Sequence, residues 1–298
     1  MNGDTTTAEP VPGAGPTAVG EGLRRVGYLA DDRIAQVVHL AERLDKPVLV
    51  EGPAGVGKTE LAKAVAAMTG RPLVRLQCYE GLDEAKALYE WNYRKQLLRL
   101  QADQARTWED VSDDIFGAEF LLERPLLHAI RSETDVVLLI DEVDRVEIET
   151  EALLLEVLAD FQVTIPELGT LHAASRPLVF LTSNNTRDLS EALKRRCLFL
   201  HIGYPTTERE RDILLTQVPD LPEVMAEQIA RVVRSIRRLR IRKPPSISES
   251  IDWARTLLAI GIGEVDEDVA RDTLNVLLKY QADIDVVAAD LDLEPAGG

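Results

Sequence analysis

The sequence predicts an α/β protein: a three-layer domain on a parallel sheet, followed by a small all-helical domain. Three observations predict it. Five short apolar runs, at residues 47–51, 73–77, 136–140, 178–182 and 198–202, are continuous rather than alternating, as suits strands covered on both faces. Segments with 3.6-residue apolar spacing separate them. After Ile202, helical spacing continues alone.

In chain order, residues 1–20 are rich in Gly, Pro, Thr and Ala with almost no large apolar side chain, so a flexible tail is expected. A helix over 32–44 leads into the first strand. A helix over 59–68, closed by Gly70, leads into the second. Helices are expected over 82–100 and 125–131 before the third strand, and over 149–158 before the fourth. The helical part is expected at 207–217, 222–241, 248–260 and 266–282. From Asp283 onward the chain carries acids and no Lys or Arg, which predicts a fraying end. The expected boundaries are therefore a tail at 1–20, the α/β domain at 21–205, the helical domain at 206–282 and an acidic tail at 283–298.

The net charge of −17 repels phosphate backbones and argues against nonspecific nucleic-acid binding. The one basic concentration, Arg231, Arg234, Arg237, Arg238, Arg240, Arg242 and Lys243, is either a solvated helix face or a contact for nucleic acid or an acidic partner. No apolar run reaches the ~20 residues that a membrane span needs, and no signal-like start precedes the fold, so a soluble cytoplasmic protein is expected. Cys78 and Cys197 lie far apart and read as small buried hydrophobes.

Chemistry concentrates at the ends of the strands. Gly52-Pro53-Ala54-Gly55-Val56-Gly57-Lys58-Thr59 has the spacing of a phosphate-binding loop, between a strand and a helix. Backbone N–H groups turned inward would surround a phosphate, Lys58 would neutralise it, and the Thr59 hydroxyl would bind Mg²⁺. The third strand ends in Asp141 and Glu142, at the edge where open α/β sheets bind ligands. Asp141 would support the metal, and Glu142 would orient and deprotonate an attacking water. The fourth strand ends in Ser183-Asn184-Asn185, and Asn184 is suited to hold that water. Arg195 and Arg196 precede the last strand; Arg196 before Arg195 is a candidate to reach an ATP bound by an adjacent subunit. Tyr89, Trp91 and Tyr93 on the expected 82–100 helix are either core or an exposed grip on a polypeptide.

Together these features resemble the AAA+ superfamily and, within it, the MoxR family and its CoxD-like ATPases, tied to maturation of carbon monoxide dehydrogenase and related molybdenum hydroxylases. The resemblance rests on Gly27-Tyr28-Leu29-Ala30-Asp31-Asp32, on the loop from Glu51 through Glu60, on Gln77-Cys78-Tyr79-Glu80-Gly81-Leu82-Asp83 and on Leu139-Ile140-Asp141-Glu142-Val143-Asp144. Leu181-Thr182-Ser183-Asn184, Pro244-Pro245-Ser246-Ile247-Ser248 and Asp252-Trp253-Ala254 complete it. It implies a five-stranded parallel sheet, a helical lid, and a homo-oligomeric, hexameric ring hydrolysing Mg-ATP at subunit interfaces. It implies further that Tyr28, Leu29 and Ala30 line an adenine pocket and that Glu60 joins the nucleotide-binding set. A hairpin over 161–171, with Pro166 and Gly169 at its tip, is also implied. A von Willebrand factor A domain partner and a metalloenzyme client are expected from the family. In one place the sequence departs from it: Glu249 stands where many relatives carry a lid arginine, so either Arg255 or a basic residue among 237–243 substitutes, or hydrolysis is slow and depends on assembly.

Overall fold

The computed structural model describes residues 15–102 and 116–290. It forms two compact units. The first comprises the described parts of Met1–Val26, Ala30–Glu51 and Thr59–His201; the second comprises Gly27–Leu29, Gly52–Lys58 and the described part of Ile202–Gly298.

The strands of the first unit are β1 (Val48–Glu51), β2 (Leu73–Gln77), β3 (Tyr89–Trp91), β4 (Leu121–Glu123), β5 (Val137–Asp141), β6 (Gln162–Ile165), β7 (Gly169–His172), β8 (Leu178–Ser183) and β9 (Leu198–His201). Five of them form one sheet in the order β2-β5-β8-β1-β9, with every pairing parallel. β5 and β8 are buried at every position, as unbroken apolar runs require, but the edge strands β2 and β9 each keep one face exposed, so the continuous burial expected of all five strands fails at the two edges. The predicted α/β class and parallel sheet hold, and the strand boundaries differ from the sequence reading by a residue at most. The hairpin implied at 161–171 is formed by antiparallel β6 and β7, with Gly169 at φ +77°.

The helices of this unit include α1 (Pro16–Arg25), α2 (Asp32–Leu44) and α3 (Lys58–Thr69), the last beginning with Lys58 of the second unit. α1 lies partly inside the expected tail. Val19 and Leu23 on its inner face are buried, which fixes a segment whose composition alone suggested none; residues 1–14 lie outside those described. The expected 82–100 helix is broken into α4 (Glu84–Ala87), β3 and α5 (Tyr93–Ala102). Two caps explain the break. Asp83 accepts Lys86 N at the start of α4, and Asn92 accepts Lys95 N at the start of α5. Between them Tyr89-Glu90-Trp91 pairs with β4. Trp91 is buried edge-on against Tyr89 and Phe116, so two of the three aromatics pack, whereas Tyr93 is exposed. α6 (Pro125–Arg131), α7 (Ile148–Asp160) and α8 (Glu191–Arg196) complete the unit.

The second unit is helical: α9 (Thr207–Gln217), α10 (Glu223–Arg238), α11 (Ile247–Ala259), α12 (Glu267–Asp272), α13 (Leu274–Leu277) and α14 (Gln281–Asp290). Its core gathers Met225, Ile229, Val233, Ile236, Trp253 and Leu257. The helix expected over 266–282 is interrupted at Thr273. That hydroxyl accepts Trp253 Nε1 at 2.8 Å and donates to Val269 O at 2.6 Å, holding the residue at φ −115°, ψ 10°. From Asp283 to Asp290 the chain is helical, as part of α14, where a fraying end was expected. Asp283 is buried and accepts Arg242 N at 2.8 Å and Lys243 N at 3.1 Å, so the expected tail ties down a turn; residues 291–298 lie outside those described. Among the described residues no helix is long and apolar enough to cross a membrane.

The basic concentration is largely structural. Arg237 forms a two-point ion pair with Glu210, at 2.5 and 2.9 Å, donates to Pro245 O at 2.8 Å and stacks over Tyr204. Arg242 stacks over Tyr280, and Arg234 donates to Thr207 Oγ1. Glu210 is 1% exposed. Arg237→Ala should therefore destabilise this unit by ~3–5 kcal/mol, the usual result of stranding a buried charge. Urea denaturation followed by circular dichroism measures it; an unchanged midpoint would remove Arg237 from that structural role.

Candidate functional site

The apolar residues of β5 bury themselves in the sheet and deliver Asp141 to its C-terminal edge, where the carboxylate is 3% exposed. Asp141 Oδ1 accepts the Thr182 hydroxyl at 2.6 Å and the Thr59 hydroxyl at 2.9 Å, while Oδ2 accepts Arg75 Nη2 at 2.5 Å. Thr182 comes from the adjacent strand β8, and Thr59 from the first turn of α3. A buried carboxylate demands such satisfaction.

Glu142 follows at φ 58°, ψ 48°, a left-handed conformation that costs a side-chain-bearing residue ~1–2 kcal/mol. Its N–H donates to Thr182 Oγ1 at 2.9 Å, so one hydroxyl gives to Asp141 and receives from Glu142. Its carboxylate Oε2 accepts Arg145 Nη1 at 2.9 Å and Gln77 Nε2 at 3.3 Å.

Asp144, also buried, organises the loop after β8. Its oxygens accept Asn184 N at 3.2 Å, Thr186 N at 2.9 Å and Thr186 Oγ1 at 2.6 Å. Burial pushes this carboxyl upward, but the bonds from Thr186 and Asn184 outweigh it and hold it below the usual aspartate value. A second brace secures the same loop: buried Glu151 accepts Arg187 Nη2 at 2.9 Å and Ser190 N at 2.7 Å. Asn184 is thus anchored by its backbone at the tip of β8.

Within the second unit, Lys58 is 6% exposed, and its Nζ donates to the carbonyls of Gly52 at 2.8 Å and Pro53 at 2.7 Å. The loop tolerates no side chain at two of its glycines. A Cβ on Gly52 (φ +154°) would lie 1.9 Å from Ile202 O; one on Gly55 (φ +72°) would lie 2.3 Å from Ser246 Oγ. The ring of Tyr28 stands 3.7 Å from where a Gly57 Cβ would be. The segment Gly27–Leu29 is fastened by Gln217 donating to Gly27 O and Arg209 donating to Leu29 O. Ala30, in the first unit, is partly buried.

Glu249 is a helix cap. Its Oε2 accepts Ser246 N at 2.8 Å and the Ser246 hydroxyl, closing a capping box on α11, and Oε1 accepts Lys243 Nζ at 3.4 Å. Of the expected replacements for a lid arginine, Arg237 is committed to Glu210, while Arg255 is exposed beside Asp252 and Gln217 O. Glu60 is exposed and pairs with Lys63 at 2.6 Å. Arg195, 82% exposed, lies 3.9 Å from Glu191; Arg196 is exposed too and bonds weakly to Ala192 O at 3.4 Å. Burial pushes the thiols of both Cys78 and Cys197 up to about 12, with Asp141 and Asp144 adding to the effect at Cys78. Neither is a reactive thiolate.

The sequence reading assigned Thr59, Asp141, Glu142 and Asn184, but gave no role to Arg75, Thr182, Asp144 or Arg145. One signal for Arg75 was present: a charged residue inside an otherwise apolar run facing the strand that ends in two acids.

The chain is similar to several known proteins. A family profile described as AAA domain (dynein-related subfamily) matches residues 47–197. An uncharacterized protein of Staphylococcus haemolyticus is 27% identical over 222 residues, covering 72% of this chain and 76% of its own. One of Staphylococcus saprophyticus is 26% identical over 223 residues, with 72% and 77% covered. Among solved structures, the RuvB Holliday junction branch migration motor of Thermotoga maritima superposes with a TM-score of 0.46 at 20% identity, covering 86% of this chain and 69% of its own. NtrX of Brucella abortus in complex with ATP gives 0.47 at 16% identity, covering 96% and 59%.

Thr182→Val keeps the volume of the side chain but removes both hydroxyl bonds. It should destabilise the first unit by ~1–3 kcal/mol, the cost of buried polar groups left unmatched, and Thr182→Ser should recover most of that. Chemical denaturation of the two variants measures the difference; equal stabilities would mean that the hydroxyl does not tie the acids together.

Proposed function

The chain belongs to the AAA domain family, in its dynein-related subfamily, and we propose that it is a MoxR-type ATPase that hydrolyses Mg-ATP to remodel a client protein. The observation that carries this reading is the 2.9 Å bond from Thr59 to Asp141, which joins the first turn of α3 to the acid pair across 82 positions of sequence. A solvated strand end or an ordinary turn has no reason to make that connection.

Thr59 Oγ1 and Asp141 are hard oxygen donors of the kind Mg²⁺ takes, and would hold it. Bound there, Mg²⁺ supplies positive charge to the phosphate oxygens. Lys58 and the loop N–H groups bind the nucleotide's phosphates, and Tyr28 and Ala30 its adenine. Glu142 receives a proton from the attacking water, its left-handed backbone presenting the carboxylate beyond the strand end. Asn184 orients the same water from a loop that Asp144 keeps rigid. The exposure of Arg195 and Arg196 supports a role in trans, in which Arg196 of a neighbouring subunit meets the charge developing on the γ-phosphate. The working form is therefore a homo-oligomeric ring, proposed as a hexamer. The proposed client is a metalloenzyme under maturation, reached with a von Willebrand factor A domain partner. A nucleic-acid-directed motor is the weaker reading, because Arg234, Arg237, Arg242 and Lys243 already have intramolecular partners.

Phosphate release from the purified chain with Mg-ATP tests the proposal. Glu142→Gln should retain ATP binding while turnover falls at least ~100-fold, and Arg196→Ala should lose about 10³-fold without loss of ATP affinity. Near-normal turnover in Glu142→Gln would remove that residue as the base. Full activity of a strictly monomeric chain would remove the arginine in trans.

A further inference from the structure

Arg75 sits on the edge strand of the sheet and has no part in the chemistry just described. β2 alternates, with Val74 and Leu76 buried and Leu73, Arg75 and Gln77 on the outer side. The register places Gln77 beside Asp141 and Arg75 beside Leu139, further back along the strand. From there the guanidinium reaches forward to Asp141 Oδ2 at 2.5 Å and also donates to Gln77 Oε1. The two carboxylate oxygens are divided by function: Oδ1 takes the hydroxyls of Thr59 and Thr182, and Oδ2 takes Arg75. The partners differ sharply in exposure, 4% for the Asp141 side chain and 47% for that of Arg75.

A buried carboxylate needs a compensating charge. Arg75 provides it on a long, half-exposed side chain that could swing into water without unpacking β2. A divalent cation at Asp141 would provide the same compensation, and two cations held on one carboxylate repel each other, so each weakens the hold of the other. We propose that Arg75 is a built-in competitor for the metal at Asp141, neutralising the carboxylate until a divalent cation displaces it. The proposal rests on the reading of Asp141 as a metal ligand. It has a second consequence. Gln77, which accepts from Arg75, contacts Glu142 Oε2 at 3.3 Å, so release of the guanidinium also alters the setting of the proposed base. Arg75 is thus a positioning residue acting through Asp141 and Gln77.

The experiment is a titration of the full-length chain with Mn²⁺ alone, free Mn²⁺ being read by electron paramagnetic resonance, without nucleotide or turnover. Arg75→Gln should bind Mn²⁺ about fivefold or more tightly than the unaltered chain, the effect of one ion pair removed from competition. Arg75→Lys, which keeps the charge but not the fork, should fall between, and Asp141→Asn should abolish the site. In thermal unfolding, Arg75→Gln should be less stable without metal and gain more from Mn²⁺ than the unaltered chain. A purely structural arginine would weaken metal binding when removed, not tighten it. Equal or weaker binding in Arg75→Gln, with Asp141→Asn still abolishing the site, overturns the competitor role alone. Binding indifferent to Asp141→Asn overturns the metal-site reading itself. Should Arg75→Gln fail to fold, Arg75→Lys decides by the same rule.

Discussion

The acid-bearing edge of the first unit is organised around satisfying one buried carboxylate. Asp141 is brought to the sheet edge by a strand buried at every position, where an unpaired charge would cost several kcal/mol. Three partners from three elements answer that cost: Thr59 from α3, Thr182 from β8 and Arg75 from β2. Each fixes its own element relative to β5, so the demands of the acid register the helix after the glycine-rich loop against the centre of the sheet. Glu142 inherits its position from the same knot, because its N–H is held by the threonine that serves Asp141.

The surrounding carboxylates repeat this logic for the loops. Asp144 and Glu151 are buried acids satisfied mostly by backbone N–H groups and an arginine, and both act on the segment that carries Asn184. Hydrogen bonds outweigh burial at each and hold their carboxyls below the ordinary range, so they stay ionised at neutral pH. The sheet supplies rigidity, and the acids transmit it to the loops that carry the candidate site. In the second unit, Glu210 and Asp283 do comparable work on Arg237 and on the turn at Arg242 and Lys243. A strongly acidic chain thus spends several of its carboxylates inside the fold.

Much of this was legible in sequence because two periodicities and one spacing rule are local properties. The continuous runs of β5 and β8, the glycine-rich loop and the Asp141-Glu142 pair need no knowledge of the rest of the chain. What escaped depended on partners far away. The helix pattern over 82–100 is real in α4 and α5, but pairing of Tyr89 and Trp91 with β4 overrides it between them. Thr273 breaks a helix because the indole of Trp253 claims its hydroxyl. Glu249 read as a missing arginine until its capping of α11 gave it a role of its own. The buried sides of Val19 and Asp283 were hidden in stretches whose average composition suggested tails.

On this reading Thr59 and Asp141 serve a single metal-nucleotide site rather than making two neighbouring contacts. A double-mutant cycle on Mg²⁺-dependent binding of a fluorescent, non-hydrolysable ATP analogue tests it most directly, using Thr59→Val, Asp141→Asn and the pair together. Strong coupling is expected, with the double variant binding no worse than the weaker single one. Additive losses would contradict it, since two residues that serve one ion cannot lose it twice.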